Sequence, residues 1–261
     1  MRLPVFQLDA FTGRVFGGNP AVVVLIPDWP EDAILAAIAR EHNISTTAFL
    51  RDAGEAFEIR YLLPIGEVPL VGHASLAAAH VLLRILRPEL GSATLRRPTG
   101  TLHVAAMDDG GVAITLPAAP SRPCAVPKGL LDALGLPVKE VRVNDAQYFA
   151  LLEDEAAVAR VAPDMDALMR LDRDGVVVTA PGRDCDFVSR AFAPKEGLPE
   201  DPVCGSAHLA LVPYWSERLG KDRHRALQLS PRGGALDCAL ESDAVRLAGR
   251  CALYLDGTIT I

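Results

Sequence analysis

Two short stretches of this 261-residue chain share one grammar, and that grammar limits the folds open to it. One reads EVPLVGHASLA from Glu67 and the other EDPVCGSAHLA from Glu200. Each sets an acidic residue, a proline and apolar residues ahead of a Gly-led helix rich in Ala and Leu. Laid over one another, Gly72-His73-Ala74-Ser75-Leu76-Ala77 and Gly205-Ser206-Ala207-His208-Leu209-Ala210 agree at four of six positions. A match this short carries little alone, but each copy lies in a strand-rich half, and the matched settings point to an internal duplication.

The flanking sequence supplies those halves. VFQLDAF, AVVVLI, TAFLR, FEIRYLL, TLHVAAM and GVAITL read as strands around helices near 31–42 and 73–87. After the Pro-rich joint LPAAPSRPCAVP come a short helix near 128–135, the strands VKEVRVN and YFALLE, and a helix near 164–170. DGVVVTA, DFVSRAFA, a helix from about 205 and closing strands follow. The expected fold is α+β, with two similar halves, 1–117 and 118–261, joined near 117–125. Each half is a curved, barrel-like sheet around one apolar helix, and the last strand is free to return to the first half. A helix start leaves backbone N–H groups unpaired and carries positive partial charge. Two such starts facing a cleft between the halves would hold a carboxylate or a developing enolate.

Composition narrows the partners. A net charge of −7, with Lys and Arg scattered along the chain, disfavours nucleic acid. The beginning, MRLPVFQLDAFTG, lacks the pattern of a secretory signal and reads as a first strand. The least polar run, Val68 to Leu83, is short for a membrane span and carries His73 and His80, the second read as a packing residue. Five cysteines without a CxxC pair suit reduced thiols and offer no zinc-ligand spacing. A soluble cytoplasmic protein without a metal or a membrane partner is expected.

Five segments together carry a resemblance over nearly the whole chain: DAFTGRVFGGNPAVVVL, EHNISTTAFL, GHASLAAAHVL, FAPKEGLPEDPVCGSAHLALVPYW and SPRGGAL. The sequence resembles the PhzF-like family, named for an isomerase of phenazine biosynthesis, whose fold is similar to diaminopimelate epimerase. The resemblance implies two similar domains, often a homodimer, and a cofactor-free isomerase. The family's characterised reaction moves a proton within a small cyclic dihydro-hydroxy amino acid. It uses a Glu as acid and base, helped by a His, an Asp and a Ser at the two helix entrances. His73, Asp201 and Ser206 stand at three of those positions. In Asn43-Ile44-Ser45-Thr46-Thr47, Thr46 stands where the Glu is expected, and a hydroxyl cannot hold a proton near neutral pH as a carboxylate can. Pro69 replaces a common Asp, and Val71 sits where the first entrance often has Cys. Cys204 occupies the second of the two positions that the epimerase branch of the fold gives to paired thiols.

Asp201, Cys204 and His73 are therefore the candidate catalytic residues. Thr46, Ser45, Asn19, Gly72, Ala74, Gly205, Ser206, Gly233 and Gly234 are the candidate substrate contacts. Each has a plain reading beside it. Cys204 is a small buried residue or a thiolate favoured by a helix start. His73 caps its helix or serves the site, Asp201 orders its turn or moves a proton, and Ser206 is both cap and ligand. Thr46 is a strand residue or a donor to substrate, Asn19 a turn residue or a presented amide. Gly233 and Gly234 belong to a hairpin or allow close approach of an anion. The function expected is a cofactor-independent isomerase or epimerase moving a proton on a small anionic, carboxylate-bearing metabolite. A non-catalytic small-acid-binding protein and a one-thiol racemase using Cys204 are the alternatives.

Overall fold

Short apolar runs broken by Gly, Pro and Asn become strands, and the Ala/Leu stretches become helices. In the computed structural model, which describes residues 1–54 and 56–261, the chain begins with β1 (Arg2–Ala10), β2 (Asn19–Leu25), α1 (Asp32–His42), β3 (Thr47–Asp52), β4 (Phe57–Leu63) and β5 (Gly66–Val68). Then come α2 (Gly72–His80), continued by a π-helical turn (Val81–Leu86), β6 (Ser92–Arg97), β7 (Gly100–Ala106) and β8 (Val112–Pro117). There follow β9 (Arg122–Pro123), α3 (Leu130–Leu134), β10 (Glu140–Val143), β11 (Gln147–Leu151), α4 (Glu155–Arg160) and α5 (Met165–Met169). The remainder is β12 (Gly175–Pro181), β13 (Phe187–Ala193), β14 (Leu198–Asp201), α6 (Gly205–Leu219), β15 (Arg223–Gln228), β16 (Gly234–Glu241), β17 (Ala244–Gly249) and β18 (Cys251–Thr260).

The chain falls into two compact units, Met1–Leu116 with Arg246–Ile261, and Pro117–Val245. Residues 246–261 thus count with the first unit rather than with an 118–261 half, because β18 runs antiparallel along β1 from Arg2↔Thr260 to Ala10↔Cys251.

Strand pairing in the first unit follows a fixed alternation. β1–β2 is antiparallel, β2–β3 parallel, β3–β4 antiparallel, β4–β6 parallel and β6–β7 antiparallel, with β5 folded back on β4. The second unit repeats it step for step. β10–β11 is antiparallel, β11–β12 parallel, β12–β13 antiparallel, β13–β15 parallel and β15–β16 antiparallel, with β14 folded back on β13. The duplication suggested by six residues is therefore a duplication of topology.

Within the first unit α2 packs against β1, β2, β3 and β7, and every residue from His73 to Ala79 is buried. A helix enclosed on all sides needs small apolar residues all round, which is why GHASLAAAH has no polar face. α1 lies in a second layer, its Leu35, Ile38 and Ala39 seated on Val5, Val22, Val24 and Phe49. In the second unit α6 contacts β15 and β16. Trp215 of α6 stacks on Phe187 at 5.6 Å and donates to Thr179 Oγ1 at 3.1 Å.

Two local expectations change. The helix expected over 73–87 is α-helical only to His80 and then widens into the π-helical turn. α4 was not expected. Six residues are too few to show a helical period, although Asp154 caps it by accepting from Ala157 N–H at 2.7 Å.

Candidate functional site

The two matched stretches become two helix entrances built on one plan. Glu67 and Glu200 occupy the same place ahead of the helices, and each receives a two-pronged arginine from the neighbouring long strand. Arg60 of β4 donates to Glu67 through Nε at 2.8 Å and Nη2 at 2.5 Å. Arg190 of β13 donates to Glu200 at 2.7 and 2.8 Å. A guanidinium fork on a carboxylate fixes orientation as well as distance, so each pair pins the strand that delivers the chain to its helix. Neither helix has a side-chain cap, Val71 preceding α2 and Cys204 preceding α6. Both starts therefore keep the N-terminal donors and partial positive charge that attract an anion.

At the first entrance the polar side chain in the first turn of the helix is neutral. His73 is 7 % exposed, and burial drives its imidazole down to about 3, so it is uncharged at neutral pH. The Ser45 hydroxyl donates to Pro20 C=O at 2.9 Å, which spends its one proton. Its oxygen therefore accepts Nε2–H of His73 at 3.3 Å, fixing the tautomer and leaving Nδ1 as the acceptor nitrogen. Ser45 reaches this position because α1 ends on Asn43, in the left-handed conformation at φ 49°, and turns the chain toward β3. Thr46, 2 % exposed, immediately precedes β3, and its carbonyl accepts from Val22 N–H. Asn19, 1 % exposed, opens β2. It follows Gly18, where φ is +55° and an added Cβ would meet Ala10 O at 2.1 Å, so only glycine fits there. Gly72 and Ala74 lie in the first turn of α2.

The second entrance carries an acid and a thiol. Asp201 is half-buried at the end of β14, and its Oδ1 accepts Val203 N–H at 3.1 Å. Cys204 Sγ lies 3.3 Å from Ser206 Oγ. Burial pushes the Cys204 thiol up to about 12, the neighbouring Asp201 carboxylate adds to the rise, and the Ser206 hydroxyl opposes it. Desolvation thus outweighs the helix start, contrary to the thiolate reading. Ser206 is corrected as well. It is the second residue of α6, exposed, and bonded to the thiol rather than capping the helix. Gly205 is buried beside it.

Gly233 and Gly234 stand under this turn. Gly233 has φ +64° and donates to Ser230 Oγ at 3.1 Å. A Cβ on Gly234 would come within 2.3 Å of Val203 Cγ2, so the glycine admits the Asp201–Cys204 turn. Among the described residues no group of three or more His, Cys, Asp or Glu is placed to hold a metal ion.

Sequence reasoning missed the supports. Gln228 accepts Cys204 N–H at 2.9 Å and donates to Asp201 C=O at 2.6 Å, and Ser230 donates to Pro202 C=O at 2.7 Å. At the first entrance Arg97 donates to Pro69 C=O at 3.0 Å. The arginine forks were findable. FEIR of β4 and FVSR of β13 match once a three-residue gap is allowed, since Arg60 stands seven residues before Glu67 and Arg190 ten before Glu200.

The comparisons agree with this architecture. The family described as phenazine biosynthesis-like protein, PhzC-PhzF, matches residues 8–257. An uncharacterized isomerase of Pseudomonas aeruginosa is 43% identical over 260 residues, covering 99% of both chains. A phenazine biosynthesis-like domain-containing protein of Bos taurus is 35% identical, covering 100% of both. The crystal structure of a PhzF family protein from Enterococcus faecalis superposes with a TM-score of 0.96 at 37% identity, covering 100% of each chain. A hydroxyproline epimerase from Agrobacterium vitis shares the fold at a TM-score of 0.64 and 15% identity, covering 99% of this chain and 91% of that one. With the family matched from end to end and its relatives named isomerases, the chain belongs to the PhzF, phenazine biosynthesis-like family of isomerases.

Proposed function

We propose that this isomerase acts without a cofactor on a small carboxylate-bearing metabolite, and that the migrating proton passes through Asp201. The observation that carries the proposal is the uncapped start of α6 with the Asp201 carboxyl beside Cys204 and Ser206. N–H groups of Gly205 and Ser206 are suited to the substrate carboxylate or to negative charge developing on it. The α2 entrance has a set of candidate polar contacts of its own, Gly72, Ala74 and uncharged His73, with Asn19, Ser45 and Thr46 close by in the same unit. One carboxyl group that takes a proton from carbon and returns it elsewhere on the same conjugated system completes an isomerisation with no net gain or loss. Asp201 is preferred to Cys204 because burial pushes the Cys204 thiol up and keeps it protonated at neutral pH.

Incubating candidate metabolites in deuterated water tests this. Deuterium in the product, absent with Asp201→Asn, is the expected result. Ligand-induced thermal stabilisation without deuterium uptake in any metabolite would select the small-acid-binding protein instead. A cytoplasmic homodimer completes the proposal, favoured by an apolar cluster on the first unit. There Phe16, 70 % exposed, packs edge-on against Tyr254 at 5.8 Å beside exposed Leu253 and Leu255. Sedimentation of Tyr254→Lys should give a monomer where the parent chain gives a dimer.

A further inference from the structure

Gln228 is the last residue of β15 and is 1 % exposed. Its amide spans the turn that carries Asp201, with Oε1 facing Cys204 N–H at 2.9 Å and Nε2 facing Asp201 C=O at 2.6 Å. The orientation of the amide follows from its partners, since a backbone N–H can only donate and a carbonyl can only accept. The strand end equivalent in the first unit is Arg97, the last residue of β6, and its grip on the matching turn is a bond to Pro69 C=O. A bond to the proline carbonyl is thus common to both entrances, supplied by Arg97 in one and Ser230 in the other. The clamp from the last residue of the strand, reaching both sides of the turn, occurs at the entrance that carries the carboxylate.

We infer that Gln228 is a positioning residue, which holds Asp201 against the start of α6 and keeps the Cys204 N–H out of the set of donors offered to substrate. Its two bonds fix the carbonyl of Asp201 and the amide three residues later. The Asp201 side chain, itself tied to Val203 N–H, is thereby kept at one height relative to Gly205 and Ser206. Loss of the amide frees the turn to move the carboxyl group away from the thiol.

The inference rests on the proposed role of Asp201, but its test needs no substrate. Cys204 sits beside Asp201 and reports the position of the turn, while Cys238 of β16, equally buried, reports the unit around it. Alkylation by iodoacetamide is followed at both thiols by mass spectrometry against pH. In Gln228→Met the Cys204 profile should move to lower pH, with a rate at pH 8 about tenfold above the parent, while Cys238 is unchanged. Gln228→Glu keeps the acceptor for Cys204 N–H and regains a donor only when protonated, so its melting-temperature deficit should shrink between about pH 8 and about pH 5. The deficit of Gln228→Met should stay constant over that range. An unchanged Cys204 profile, equal acceleration at Cys238, or a Gln228→Glu deficit that does not shrink would each overturn the clamp. Failure of every metabolite to take up deuterium would overturn the reaction and leave the clamp standing.

Discussion

The entrances of α2 and α6 were copied as scaffolds and have diverged as chemistry. Both have the glutamate held by an arginine fork, the proline whose carbonyl is tied down, and the uncapped Gly-led helix. What differs is the side chains beside the helix start. The α2 entrance has Val68, Val71 and a neutral His73 where the α6 entrance has Asp201, Cys204 and Ser206. The Gly-led helix start without a side-chain cap is common to both copies. A carboxyl group at the helix start is present in one, Asp201 ahead of α6.

Removing that group should break the asymmetry most severely. Asp201→Asn is expected to lower the rate of solvent-deuterium uptake about 10³-fold, with His73→Asn costing about tenfold through lost orientation. Equal losses from the two would contradict a division between a chemical and a binding entrance. The forks allow a comparison in stability. Arg190 and Glu200 are 11% and 16% exposed, against 17% and 37% for Arg60 and Glu67. Glu200→Ala, which strands the more buried guanidinium, should therefore cost about 3 kcal/mol in urea unfolding, and Glu67→Ala about 1 kcal/mol.

His73 gives a pH test of the first entrance. Its folded-state value lies well below that of an unfolded chain, so the neutral form is the one favoured by folding. The contribution is whole above an unfolded value of about 6.5 and is lost progressively as pH falls from there toward about 3. The ring Cε1–H resonance should accordingly stay at its neutral position from pH 8 to about pH 5. A midpoint near 6.5 would place the imidazole in water. The smallest effects belong to Cys204 and Thr46. Cys204→Ser should retain activity within about threefold, because a protonated, buried thiol is replaced by a group of similar size. Thr46→Ala should cost less than about 1 kcal/mol of substrate binding, read from the Kd alone.

The scaffold was more legible than the chemistry, for a physical reason. Enclosed helices must be apolar on all sides and led by small residues, so α2 and α6 announce themselves in sequence, as do the strands around them. Cys204 shows the opposite case. A helix start favours a thiolate and was readable, whereas the desolvation that opposes it depends on side chains remote in sequence. The roles of Gln228 and Ser230 were hidden, because their partners are backbone atoms of another segment, and any residue can supply a carbonyl or an amide. The change from α- to π-helical winding at Val81 was likewise hidden, since it leaves the apolar pattern of the segment intact.

The pairing of β1 with β18 bears on how the chain emerges during synthesis. Pro117–Val245 is one uninterrupted segment, and the pairings that join β9 through β16 all lie within it. Met1–Leu116 is made first but meets β18 only after the whole intervening segment has been translated. The second unit can therefore close on the nascent chain while β1 still shows an open edge. For that interval the earlier-made half is the vulnerable one, dependent on the last strand to seal an edge that would otherwise recruit strands from other chains.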